Sequence, residues 1–390
     1  MTSDTGVRAV PMPGVPPEAA DRASRHASLT LGLTLPGDTV LYLLLPLYAD
    51  GFGVTLPEAG LLLAANRLVR IAGYGWVARG YERFGPRAAC VAATLGATGA
   101  TLGYAVLSGV GLLLLTRLMW GLSFAALNIA TQAQATSEAH RASSRSGRSR
   151  AIIAAGPMLG LLGAAALTET VGPRAVFLAL ACVAVLALPF AARLPGGPGQ
   201  RLRVGGRRLR PPSPLDLWSF IQGLTLDGIF VIGLAVLASA ASPDSAVVAA
   251  GCALALRYVA EIALGPVSGA IAERCGAARS LIVLSLASAV AYAAISIGIL
   301  WAGVIAVLLL RGMLAPLAAP VAALANPGGQ RVPAIARMAT WRDLGAGIGP
   351  LLAGLLLPIA PFGLYAAAAA ALAAATLALA ILDLGAWRRR

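Results

Sequence analysis

Apolar runs of about membrane-crossing length alternate with short polar breaks along most of the chain. The runs lie near 29–50, 57–78, 87–108, 110–135, 150–168, 172–192, 216–241, 245–271, 278–298, 300–325, 334–358 and 362–384. A helix rising 1.5 Å per residue needs about 20 apolar residues to cross the hydrocarbon core. Twelve such runs predict an all-α membrane protein with twelve crossings and both termini on one side. Two polar stretches interrupt the rhythm. Residues 1–27 hold several prolines and no apolar run, so a disordered tail is expected there rather than a signal peptide. The stretch Leu194–Pro214, rich in Gly, Pro and Arg, does not span. It divides the chain into a first six-helix bundle, 28–193, and a second, 215–385, followed by a basic tail, 386–390.

Composition supports the membrane class. Hydrophobic residues make up 58% of the chain and charged residues 12%, against about 25% charged in soluble domains. The net charge of +14 is placed in loops and is not a nucleic-acid footprint. All thirty basic residues are arginine. Arg79, Arg83 and Arg87 follow the second run. Arg141, Arg145, Arg148 and Arg150 follow the fourth, and six more arginines lie between Arg193 and Arg210. Arg274, Arg279, Arg331, Arg337 and Arg388 to Arg390 continue the series. The opposite connections carry Arg174 alone, beside Asp50, Glu58, Glu169 and Asp244. The positive-inside rule then predicts that both termini and the linker are cytoplasmic, in a bacterial inner membrane. The basic linker reads as a solvated tether with anionic lipid headgroups as neighbours.

Some chemistry is excluded. Without lysine the chain has no P-loop lysine and no Schiff base. Cys90, Cys182, Cys252 and Cys275 lack paired spacing, and His26 and His140 lack partners, so neither a metal nor a cofactor is expected. Gly345, Gly347 and Gly349 imitate a dinucleotide loop in spacing but sit inside an apolar run with no strand before them.

The two halves repeat one another. Asp38 has a counterpart in Asp227, Arg67 in Arg257, Arg117 in Arg311, and Gly156-Pro157 in Gly349-Pro350, at offsets of 189 to 194 residues. Duplication of a six-helix unit explains that register. Gly269, Glu273, Arg274, Gly276 and Arg279 resemble the loop motif Gly-x-x-x-Asp-Arg-x-Gly-x-x-Arg of the major facilitator superfamily, with Glu in place of Asp. Glu82, Arg83, Gly85 and Arg87 resemble a second copy whose leading Gly is Ala78. Arg117 to Gly121 resembles the fourth-helix motif Arg-x-x-x-Gly, and Gly156 to Gly160 part of a fifth-helix motif linked to exporters. The likeness covers about 30–384. It implies a twelve-helix efflux-type transporter, acting as a monomer on a small-molecule substrate by alternating access.

Charges inside a membrane cost about 2.5–3.5 kcal/mol each on insertion scales, so each needs a purpose. Asp38 and Asp227 are candidate proton-carrying acids, with a permanent ion pair, such as Asp38 with Arg117, as the competing role. Arg67, Arg70, Arg117, Arg257, Glu261 and Arg311 are candidate substrate contacts. For Arg257 and Glu261, at i and i+4, mutual neutralisation is the favoured expectation. Glu82, Arg83, Glu273, Arg274, Arg342 and Asp343 are expected at gates, where a carboxylate can cap a neighbouring helix N-terminus and release when the halves rock. Gly156, Pro157, Gly349 and Pro350 are expected to bend helices or let them approach closely. Proton-coupled export is the leading expectation. Uptake of an organic anion or zwitterion is the alternative, and a non-transporting sensor or assembly partner on the same scaffold is an alternative of another class. No nucleophile–base pair points to an enzyme.

Overall fold

The computed structural model describes residues 16–197, 212–241 and 246–387. Those residues form twelve rods and no strand. The first rod, α1, is the pair Pro17–Thr34 and Pro36–Leu47, jointed where Pro36 removes a backbone donor. A single helical stretch, Leu56–Val106, turns at Gly85 (φ 84°), which splits it into α2 (56–84) and α3 (86–106). Only glycine takes that φ without strain. Next come α4 (Val110–Ala135), α5 (Ala142–Val171) and α6 (Pro173–Ala192). The second half holds α7 (214–241), α8 (Ala246–Cys275), α9 (Ala277–Ser296), α10 (Leu300–Ala325), α11 (Arg331–Leu356) and α12 (Pro361–Trp387).

Ten helical stretches among the described residues are long and apolar enough to cross a membrane. One of them, Pro57–Val106, is the α2–α3 pair and supplies two crossings. The twelfth is α11, where Arg337, Arg342 and Asp343 interrupt the apolar sequence. Leu68, Trp76, Val290, Ile297, Ile359 and Ile381 lie exposed on the outer faces, a surface suited to lipid.

Each half has its own core. In the second half one cluster gathers Trp218, Phe230, Tyr292, Leu317 and Leu372. The first half has a cluster around Leu44, Phe52, Trp120 and Phe177 and another around Ala27, Tyr74, Cys90 and Ile129. Ala336 and Ala339 of α11 reach across into the last of these.

Glycine sets the helix spacing in matching places. A side chain on Gly156 of α5 would overlap the Gly32 carbonyl of α1, and one on Gly160 would overlap Pro36. In the second half Gly345 and Gly349 of α11 lie as close to Phe220, Leu224 and Gly228 of α7. Gly156-Pro157 and Gly349-Pro350 therefore work through close approach of α5 to α1 and of α11 to α7.

Three boundaries differ from those the sequence predicts. Helix α1 begins at Pro17, so 17–27 is not a tail. Ala20, Ala23 and Ala27 are buried, while Asp21 pairs with Arg145 (3.5 Å) and Arg141 (3.9 Å) of the second loop cluster. Those polar partners hid the helix from hydropathy. Helix α5 begins at Ala142, which moves Arg145, Arg148 and Arg150 from a loop into the helix. The linker is tied at its start, where Arg87 Nε donates to the Leu194 carbonyl (2.8 Å). Its remainder, 198–211, and the last residues of the basic tail, 388–390, lie outside the described residues, as does Asp244.

Candidate functional site

The Leu35–Pro36 joint places Asp38 in the first turn of the second segment of α1, facing α2 and α4. Arg117 of α4 pairs with it through Nη1, and Asn66 Nδ2 of α2 donates to both carboxylate oxygens at 3.1 and 3.4 Å. Arg117 is fully buried and also donates Nε to the Leu62 carbonyl (3.1 Å). Its guanidinium lies 5.3 Å from the Tyr42 ring centre. Asp38 and Arg117 are thus paired in this conformation.

The second half builds the corresponding pair with more charge. Asp227 lies in a wide π turn, Gly223–Ile229, of α7, a distortion common at functional sites. Arg311 of α10 donates Nη2 and Nε to Asp227 Oδ1 at 2.7 and 3.0 Å. Arg342 of α11 donates Nε to Oδ2 at 2.8 Å, and Gln222 adds a bond of 3.2 Å. Arg311 also holds Glu261 of α8 at 2.6 Å. Glu261 and Arg257 are therefore not the pair their spacing predicts. Arg257 turns to the Tyr258 hydroxyl (2.9 Å), because the buried side of α8 faces Arg311.

Arg67 and Arg70 do not converge on an open binding surface. Arg70 pairs with Asp343 of α11 (3.1 Å), and Asp343 also accepts from the Tyr74 hydroxyl (3.0 Å). Asn128 donates to that hydroxyl and Gln132 to Asn128 (3.3 and 3.0 Å). Arg67 donates Nη1 to the Ala346 carbonyl of α11. Both arginines thus fasten α2 to α11 across the two halves.

A second fastening joins α8 to α5. Glu273 accepts from the backbone N–H groups of Arg141 (2.8 Å) and Ser144 (3.2 Å), at the N-terminus of α5. Below it the helices touch backbone to backbone, Gly269 against Ser143 and Gly265 against Gly147. Arg274 and Arg83 are exposed, and Arg83 lies 5.3 Å from the Phe84 ring. Glu82 makes no matching contact. Its Oε1 is buried without a partner at the α2–α3 turn, and burial pushes its carboxyl up to about 7.

Between these fastenings lies a cavity of about 30 Å³, bordered by α4, α5, α7, α10 and α11. Arg150, Asp227, Arg311 and Arg342 line it together with Gln132 and Gln222. Among the described residues no group of three or more His, Cys, Asp or Glu could hold a metal ion.

Asn66, Tyr74 and Arg150 were not singled out by the sequence. Asn66 and Tyr74 carry no charge to stand out in an apolar run. Arg150 was grouped with a loop, although Ser143, Ser146 and Ser149 at every third position before it mark the small-residue face of a helix.

The family model described as Major Facilitator Superfamily matches residues 27–243. The chain belongs to this superfamily. Its members are transporters, and the multi-pass helical architecture follows that plan. Two solved superfamily structures share the fold. The human organic anion transporter MFSD10 (TETRAN) superposes with a TM-score of 0.76 at 16% identity, over 94% of this chain and 100% of the other. The proton:xylose symporter XylE bound to 6-bromo-6-deoxy-D-glucose gives a TM-score of 0.76 at 14% identity, over 94% and 96%. At these identities the likeness speaks for the fold. A comparison with curated protein sequences found no match.

Proposed function

We propose that the protein is a proton-coupled secondary transporter that exports a small organic solute across a bacterial inner membrane, with its linker side cytoplasmic. The arginine distribution supports the orientation. The observation that carries the mechanism is the contrast between the cores and the contact joining them. Each half is packed mainly on its own apolar clusters, and apart from Ala336 and Ala339 of α11, which pack into a first-half cluster, the join is made of ion pairs, helix capping and glycine contacts. Water can replace such contacts when the halves rock apart, without dismantling either bundle.

In this account the conformation described here is closed toward the linker. Arg70–Asp343 and Glu273 at the α5 N-terminus are the gates, and they open to the cytoplasm in the other state. Asp38 is the proton carrier. It meets one guanidinium and one neutral amide, so water that reaches it as the halves rock lets a proton take the place of the Arg117 contact. Asp227, bridged between two guanidiniums, is the structural clamp. The Gly156-Pro157 contact supports export through the resemblance of its motif. The two structural relatives, an organic anion transporter and a proton:xylose symporter, fit the transport class.

The test is flux in proteoliposomes loaded with a cell-metabolite extract and given an inward or outward pH gradient. Wild type should accumulate or deplete at least one solute against its gradient. Asp38→Asn should abolish uphill movement while leaving downhill exchange. Undiminished uphill flux in Asp38→Asn removes Asp38 from the coupling.

A further inference from the structure

Among the described residues, every arginine inside the helical bundles but one has a partner. Arg117 holds Asp38, Arg70 holds Asp343, and Arg311 and Arg342 share Asp227, with Glu261 on Arg311. Arg67 has the Ala346 carbonyl and Arg257 the Tyr258 hydroxyl. Arg150, lining the cavity between the halves, makes no hydrogen bond or ion pair among the described residues. The acid nearest the cavity, Asp227, is already saturated by two guanidiniums and Gln222.

The cavity wall holds a second, independent sign. Ser146 and Ser219 are buried to 5% and 1% exposure, both line the cavity, and neither hydroxyl oxygen has a partner. Buried polar groups are rarely left unpaired. Two orphan hydroxyls beside an orphan cation, from opposite halves of the molecule, describe a donor set awaiting an acceptor. The cavity's 30 Å³ is room for about two waters, which need roughly 10–15 Å³ each. Water would satisfy the hydroxyls but would leave Arg150 without an ion-pair partner of its own, since Asp227 and Glu261 are already paired with Arg311 and Arg342.

We propose that this cavity binds a singly charged anionic group, the carboxylate of a solute or an inorganic anion, with Arg150 as its counter-charge and Ser146 and Ser219 as neutral donors. The site draws on α5 of one half and α7 of the other, so an anion held there ties the bundles together on the linker side and its release loosens them. The inference rests on the cavity being part of the transport path, and it adds the charge class of what travels there.

The experiment is thermal unfolding of the purified full-length protein in nanodiscs, titrated with sodium acetate, sodium chloride or neutral acetamide. Arg150→Gln serves as the ionic-strength control. The wild type should show a saturable rise in melting temperature with an anion and none with acetamide. Arg150→Gln should shift the anion midpoint at least tenfold and raise the ligand-free melting temperature, whereas Arg150→Lys should keep the midpoint within tenfold. A response to acetate alone assigns the site to a carboxylate-bearing solute; an equal response to chloride assigns it to an inorganic anion. If Arg150→Gln does not fold, the pair Ser146→Ala and Ser219→Ala should weaken the midpoint severalfold. No anion response, or a midpoint unmoved by the variants, overturns the proposal. Gradient-driven flux that persists without an Arg150-dependent response sinks this inference alone. An intact response without flux sinks the transport reading alone.

Discussion

Asp38 and Asp227 occupy corresponding places, yet one meets a single guanidinium and the other meets two. The difference predicts unequal tolerance to change. Removing one partner of a buried pair costs about 3–5 kcal/mol, because the survivor is left charged and alone. Arg117→Gln should therefore lower stability by that order, and the double variant with Asp38→Asn should recover most of the loss, read as melting temperatures in nanodiscs. A double variant no more stable than Arg117→Gln contradicts the pairing. Glu82 gives a prediction with a definite pH sign. Its carboxyl is raised from an ordinary 4.5 to about 7, so the folded state binds more protons than the unfolded state between those values. Stability from this group is thus full below about 4.5 and is lost as pH rises to about 7. Glu82→Gln should melt higher than wild type at pH 8 and equal to it at pH 4.5. A pH-independent difference would show that desolvation is not the cause.

Among the elements, the glycine contacts between α7 and α11 leave no room for a side chain. A side chain on Gly349 would overlap the backbone of Leu224 and Gly228, whereas Gly347, two residues earlier on the same helix, faces open space. Gly349→Val should cost about 1–3 kcal/mol through overpacking, and Gly347→Ala should be close to neutral in the same melting assay. Equal effects would mean that helix propensity, not close approach, governs α11. The elements also show what the sequence could and could not disclose. The twelve crossings, the duplication and the pairing of α5 and α11 glycines were legible because hydropathy and register are properties of one chain segment at a time. The partners of the charges were not. Glu261 sits one turn from Arg257, but whether it turns to it or to Arg311 depends on which face of α8 meets α10. Arg67 and Arg70 looked like an anion site because their acceptors, the Ala346 carbonyl and Asp343, lie more than 270 residues away. Helix α1 begins eleven residues earlier than expected because its polar face is satisfied by Arg141 and Arg145, which hydropathy cannot see.

For the whole molecule, two bundles, joined in apolar packing by Ala336 and Ala339 of α11, otherwise meet at a polar, charge-linked join on the linker side. In the proposed mechanism Arg70–Asp343 and the Glu273 cap are the contacts that break for a second state to form. Asp343→Asn, which removes the acceptor charge for Arg70, should favour opening without disturbing either core. The decisive measurement is a spin-label distance across the join, between cysteines placed at the exposed Arg148 of α5 and Arg274 of α8 in a background lacking the four native cysteines. Alternating access predicts a short and a long population in the wild type, with the long one growing in Asp343→Asn and Glu273→Gln. One narrow, short distance in all three proteins would contradict it.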